Sequence, residues 1–198
     1  MSSSPAFKIA ELFSTDAAVR AFCAAAIYSQ GVALASPVVS AWFANREFHS
    51  LVWGQPVTVG LAVFPETFAR IQRANGDPHL AHVPPDQDAE EFELRFPTEI
   101  SLDILTTRDL NGEGAIARFL KRFGEGIQQV EYRSLDVDRA TALVKETFGL
   151  APVYPAARAG ADHTRINFFL VPADIGGKVL IELYEMPATD LSIGRPAV

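Results

Sequence analysis

Two polar side chains stand out because they interrupt apolar strands. Gln129 lies in GEGIQQVEY (124–132) and Glu182 in KVLIELYE (178–185). Histidine offers less. His79 and His82 have a spacing that would align two imidazoles on a helix, yet they lie in DPHLAHVPPDQDAE (77–90), a polar loop with three prolines, where no preformed metal pair is expected. His163 belongs to a turn before a strand, and His49 has no partner in the sequence. Cys23 is the sole cysteine, so an internal disulfide is excluded; beside Phe22 in an Ala-rich run it reads as a small buried hydrophobe. Neither a nucleophile-elbow motif nor a glycine-rich phosphate loop occurs.

The scaffold has to position those groups. A chain of 198 residues, 48% hydrophobic and 21% charged, has enough material for one domain with a proper core or for two small fused modules. The net charge of −7 argues against a nucleic-acid partner, which would require a basic surface. Between Ala21 and Asn45 no residue is charged, a length that raises the question of a membrane span. Ser29, Gln30, Gly31, Ser36, Pro37 and Ser40 dilute that run, and Glu11 and Asp16 precede it where a secretory signal would carry basic residues. Buried structure in a cytoplasmic protein, with no membrane partner, is the expectation.

Local signals divide the chain. Lys8 to Phe13 reads as a strand, and Asp16 caps a helix running through Ile27 that Gly31 ends. Residues 32–54 lean towards β structure. Val57 to Val63 is a strand, Pro65-Glu66 opens a helix to about Arg73, and Asn75-Gly76 stops it. Phe92 to Phe96 and Glu99 to Thr106 alternate like half-buried strands; Ala115 to Phe123 keeps helical spacing. Then come a strand from Gln129 to Ser134, a helix from Val137 to Phe148 capped by Gly149, and strands at Pro152–Arg158, Arg165–Val171 and Lys178–Glu185. Gly176-Gly177 makes the last turn.

Residues 56–107 and 127–186 therefore read as two β-α-β-β-β units of similar length, a weak internal repeat. The fold class is α+β. Residues 1–55 form an N-terminal extension, 56–114 the first module, 115–126 a linker helix and turn, 127–186 the second module and 187–198 a tail. A rival parse begins the first unit at Lys8.

This order, with the phrases in 115–132 and 165–185, resembles the vicinal-oxygen-chelate (glyoxalase/bleomycin-resistance/dioxygenase) superfamily, most closely its methylmalonyl-CoA epimerase-like proteins. The resemblance implies a cleft between paired modules, often in a homodimer, and a metal held by two side chains from each module. Carried onto this chain, the metal positions are Thr58, Asp103, Gln129 and Glu182. Glu182 matches directly, and Asp103 is one methylene shorter than the usual residue. Thr58 and Gln129 stand where the family has histidine. Imidazole suits Zn²⁺ and Fe²⁺, whereas this set offers only oxygens. The cofactor implied is therefore Mg²⁺ or Mn²⁺ rather than zinc or iron, or no metal at all.

Without a metal, Asp103 and Glu182 would face each other in a partly apolar pocket, where repulsion and desolvation raise at least one pKa. Such a pair can act as acid and base on a proton next to a carbonyl. Tyr132, Arg165, Asn167 and Phe168 are the implied substrate-binding residues. A structural alternative pairs Glu182 with Arg118, Arg133 or Arg165. The function implied is an isomerase, epimerase or lyase acting on a small acyl or acyl-CoA substrate. The alternative is a non-catalytic binding protein with an aromatic-lined cleft. Loss of both histidines counts against an oxygenase.

Overall fold

A computed structural model describes residues 8–172 and 178–187. Ile9–Phe13 forms a 3₁₀ turn, not the expected strand. Leu12 plugs the core there, and its carbonyl accepts from Asn75 Nδ2 at 2.9 Å, so the segment is anchored to a helix end instead of a sheet. Helix α1 (Ala17–Phe43) starts at Asp16, whose side chain accepts from the Ala18 amide. It runs through both Gly31 and Pro37, which corrects the expected stop at Gly31 and the β-leaning stretch after it. Gly31 is there for close approach: a Cβ would lie 2.6 Å from the Val59 methyls on the sheet. Val39 is buried in the core, and such burial outweighs the roughly 0.5 kcal/mol helix penalty of a β-branched residue. Helix α2 (Arg46–Leu51) follows at once, capped by Asn45 through the Glu47 and Phe48 amides.

The remaining elements are β1 (Thr58–Ala62), α3 (Pro65–Ala74), β2 (Glu90–Phe96), β3 (Ile100–Thr106), α4 (Ala115–Phe123), β4 (Gly126–Ser134), α5 (Val137–Phe148), β5 (Arg158–Ala159), β6 (Arg165–Pro172) and β7 (Lys178–Glu185). Gly149 ends α5 in the left-handed conformation (φ 66°), the geometry that favours glycine at a helix stop. The expected Gly176-Gly177 turn lies outside the described residues. The strand expected over Pro152–Arg158 shrinks to Arg158–Ala159. Its counterpart in the first unit is reduced to one backbone bond, Ala81 N–H to the Glu91 carbonyl at 2.9 Å. Prolines in both segments remove the donors a longer strand would need.

All strands join one curled sheet in the order β2-β3-β1-β4-β7-β6-β5. β1 pairs antiparallel with β4, while β1–β3 and β4–β7 are parallel. A pseudo-twofold axis thus lies between β1 and β4 and exchanges the two units. Helix α1 packs across both halves of one sheet face. Cys23, Ala24 and Ile27 meet Val59, Leu61, Leu102 and Ile104; Ala35, Val39 and Trp42 meet Val130, Phe169, Ile181 and Leu183. Trp42 sits edge-on to Phe169 with ring centroids 5.5 Å apart. α1 is long and apolar enough to cross a membrane, but its stripe Cys23, Ile27, Gly31, Ala35, Val39 and Trp42 is buried where the helix packs on the sheet, as in the core helix of a folded domain. Helices α3 and α5 contribute Phe68 and Ile71, and Ala140 and Val144, to the two ends of this layer. The concave face of the sheet is left open.

Candidate active site

Strand alternation decides what that open face presents. On β2, Phe92 and Leu94 are buried while Glu91, Glu93 and Arg95 line the cleft. On β3, Asp103 stands between the buried Leu102 and Ile104, and on β7 Glu182 stands between Ile181 and Leu183. β4 contributes Gln129 and Glu131, separated by the buried Val130. The cleft holds about 1300 Å³, and its walls include Thr58, Phe168, Tyr184 and the exposed side of α4.

Gly60 stands at the centre, with Asp103 beside it on β3 and Gln129 beside it on β4. A Cβ at position 60 would lie 2.4 Å from Gln129 Cγ, so the glycine makes the room in which the amide side chain lies. Gln129 Nε2 donates to Glu182 Oε2 at 2.7 Å and to Glu131 Oε1 at 3.0 Å. The register slips between Gly60 and Leu61, a bulge that lets the consecutive Gln128 and Gln129 both line the cleft. Thr58 lies opposite Glu131. The pseudo-axis therefore exchanges Thr58 with Gln129, Gly60 with Glu131 and Asp103 with Glu182.

Burial under these strands makes ionisation costly, and neighbouring acids add to the cost. Burial raises Glu131 to about 7; the Gln129 hydrogen bond pulls it back and Glu93 pushes it up further. Glu91 rises to about 8, through burial first and then Glu131 and Asp162. Asp103 and Glu182 stand well above the ordinary carboxyl range, chiefly by burial and next by the surrounding glutamates. The Tyr184 phenol is pushed up to about 12 by burial and then by Glu131, so it remains a donor. The floor thus gathers carboxyls whose ionisation is opposed by burial and by one another.

Asp103, Gln129 and Glu182 converge here, with Thr58 and Phe168 on the walls; Phe168 is the strand neighbour of Glu182. Three expected substrate contacts are corrected. Tyr132 is 4% exposed and packs behind the sheet against Phe43. Asn167 is fully buried and ties the Tyr154 backbone through its own amide. Arg165 turns to Asp138 on α5 and to Glu185. Parity is the reason: on β6 the even positions Ile166 and Phe168 face the cleft, and on β4 the odd positions beyond the bulge do. Glu182 takes part in no ion pair among the described residues. Arg133 lies over the Trp53 ring and Arg118 donates to the Glu113 carbonyl. His82 stacks on His163 at 5.4 Å, so it is not paired with His79.

Glu91, Glu93 and Glu131 are the site residues that reading by motif missed. Their signal was the alternation in EEFELRF and QQVEY, which puts each on the polar side of its strand.

The donor set does not suit a metal ion. Gln129 turns its NH₂ group, not its oxygen, towards Glu131 and Glu182. Among the described residues, no three His, Cys, Asp or Glu side chains are grouped so as to hold a cation.

A curled sheet built from two pseudo-symmetric units, with polar side chains gathered where their first strands meet, defines a glyoxalase-fold protein. Methylmalonyl-CoA epimerase from Mycobacterium tuberculosis is 32% identical and superposes with a TM-score of 0.54 over 68% of this chain and 90% of that one. The Streptomyces coelicolor epimerase bound to 2-nitronate-propionyl-CoA shares the fold at 22% identity, TM-score 0.52, over 66% and 96% of the two chains. A hypothetical protein from Bacillus halodurans C-125 does so at 19% identity, TM-score 0.54, over 73% and 100%. No family model and no curated protein matches the chain. The chain belongs to the vicinal-oxygen-chelate superfamily, with the methylmalonyl-CoA epimerase-like proteins.

Proposed function

We propose that this protein is an isomerase, epimerase or lyase that moves a proton on the carbon next to the carbonyl of a small acyl or acyl-CoA compound, using carboxyl groups in place of a metal. The observation that carries this reading is the Gln129 amide clamped between Glu131 and Glu182, with Asp103 across Gly60. Carboxyls whose environments push their pKa values apart divide into acid and base. Glu131, near 7, is the group best poised to accept a proton at neutral pH. Asp103 and Glu182, whose ionisation burial and the neighbouring glutamates oppose, donate hydrogen bonds to the oxygen that gains charge as the proton leaves. Acid–base catalysis of this kind contributes about 10²–10⁴-fold, and a well-placed donor to the developing oxyanion about 10²–10³-fold.

The test is deuterium wash-in. Propionyl-CoA and methylmalonyl-CoA incubated with the protein in D₂O are read by mass spectrometry for exchange at the carbon next to the thioester. Exchange that disappears in Glu131→Gln supports the reading. No exchange with either compound leaves the second reading, a binding protein. Phe119, Phe123, Tyr154 and Phe168 on the cleft walls favour that one.

A further inference from the structure

The pseudo-axis that exchanges Asp103 with Glu182 also matches the strands beside them, β2 with β6. Register sets the correspondence. Glu91, Glu93 and Arg95 pair with Leu105, Asp103 and Ser101, while Ile166, Phe168 and Leu170 pair with Tyr184, Glu182 and Leu180. All six of the β2 and β6 side chains line the cleft, yet one wall is charged where its counterpart is apolar. The apolar wall extends beyond β6. Leu180 lines the cleft beside Leu170, and Val153, which donates its N–H to the Phe168 carbonyl at 2.7 Å, lines it too. None of Phe168, Leu170, Leu180 and Val153 takes part in the core clusters behind the sheet. Leu170 is 50% exposed and Val153 48% exposed. Large apolar side chains left open on one side of a cavity, with no part in the core, mark a surface for a ligand.

We propose that the acyl group received by this cleft has an apolar body, aryl or branched alkyl, that lies on the β6 wall, and that it carries no second carboxylate. The Leu170–Leu180 pair stands two residues along the ladder from Phe168–Glu182, about 7 Å away. A carbonyl held at Glu182 therefore puts a ring or a short branched chain within reach of those side chains, and contact removes apolar surface of both from water. A carboxylate in the same place would lose hydration among apolar groups without a free cation beside it. Arg95 belongs to the opposite wall and is held by Glu93 at 2.8 Å, and Arg158 pairs with Asp86. The inference rests on the proton-transfer reading for where the carbonyl sits, and deepens it by naming the class of acyl group.

Three thioesters of N-acetylcysteamine test it, the phenylacetyl, acetyl and malonyl esters, each titrated into the full-length chain by NMR at neutral pH. The phenylacetyl ester is expected to bind at least about tenfold more tightly than the acetyl ester, with the malonyl ester weaker than both. That preference should shrink in Leu170→Ser and persist in Arg95→Ser, a change at the matching position of the other wall; both side chains are exposed, and folding is checked from the same spectra. Equal binding of the phenylacetyl and acetyl esters, tightest binding of the malonyl ester, or undetectable binding of the phenylacetyl ester overturns the inference. So does a preference that Leu170→Ser leaves unchanged, or that both variants reduce alike. Deuterium wash-in is read separately. Exchange on propionyl-CoA without a phenylacetyl preference sinks this inference alone, while that preference without exchange sinks the catalytic reading alone.

Discussion

Gly60 and Gln129 are neighbours across the seam between the two units, and a Cβ on residue 60 would lie 2.4 Å from Gln129 Cγ. The glycine is therefore a condition for the amide clamp. Gly60→Ala is expected to displace Gln129, break its bonds to Glu131 and Glu182, and cost about 1–3 kcal/mol of stability through overpacking. Wash-in activity should fall further than the small loss of folded protein explains. Thermal unfolding together with exchange rates checks this, and unchanged exchange in the folded variant would remove the clamp from the mechanism.

Glu182→Gln keeps the size of the side chain and removes its acidity. Activity is expected to drop by about 10²–10³-fold with ligand affinity changed much less. A loss of affinity equal to the loss of rate would make Glu182 a binding group only.

Stability should decline as the solution becomes more alkaline. Glu131 and Glu91 are raised from about 4.5 to about 7 and about 8, so the folded protein holds protons that the unfolded chain releases. Their stabilising contribution is full below pH 4.5 or so and is lost as pH rises through the folded values. The melting temperature should fall between pH 5.5 and 8.5, by roughly 2–4 °C per kcal/mol for a chain of this size. Glu131→Gln should flatten that slope. A melting temperature that rises over the same range would contradict the burial of these acids.

Chelation should change little. Because Gln129 offers its NH₂ group to the carboxyls, treatment with EDTA or addition of Mg²⁺ or Mn²⁺ is expected to leave both melting temperature and exchange rate unaltered. Near-stoichiometric metal in protein purified without an affinity tag, lost in Glu182→Ala, would restore a chelate mechanism.

Cys23 should behave as a core residue. It is 1% exposed, and burial, then Glu11, push its thiol up to about 11. Thiol reagents should modify it slowly in the folded protein and rapidly after denaturation. Fast modification under native conditions would mean that α1 lifts from the sheet.

Much of the second unit was legible in the sequence because its signals are local. Asp136 caps α5 through the Arg139 amide, Gly149 closes it, and the runs RINFFLVP and KVLIELYE carry strand character in their own composition. The first 55 residues were not legible in this way. Gly31, Pro37 and several valines speak against a long helix at the local level, and only the sheet beneath explains why α1 persists. Gly31 reads as a stop until Val59 is seen packed against it.

The sequence by itself marked Gln129 and Glu182, which interrupt apolar strands, and through its family resemblance Asp103, but not Glu131, the proposed base. Tertiary structure alone decided their company. Strand register set Glu131 beside Glu182 and Asp103 beside Gly60, and the β4 bulge chose which residues face the cleft. It also turned Tyr132, Asn167 and Arg165 away from it. The physical reason is the two-residue repeat of a strand: its face depends on pairing with strands distant in the chain, and a shift of one residue exchanges cleft for core.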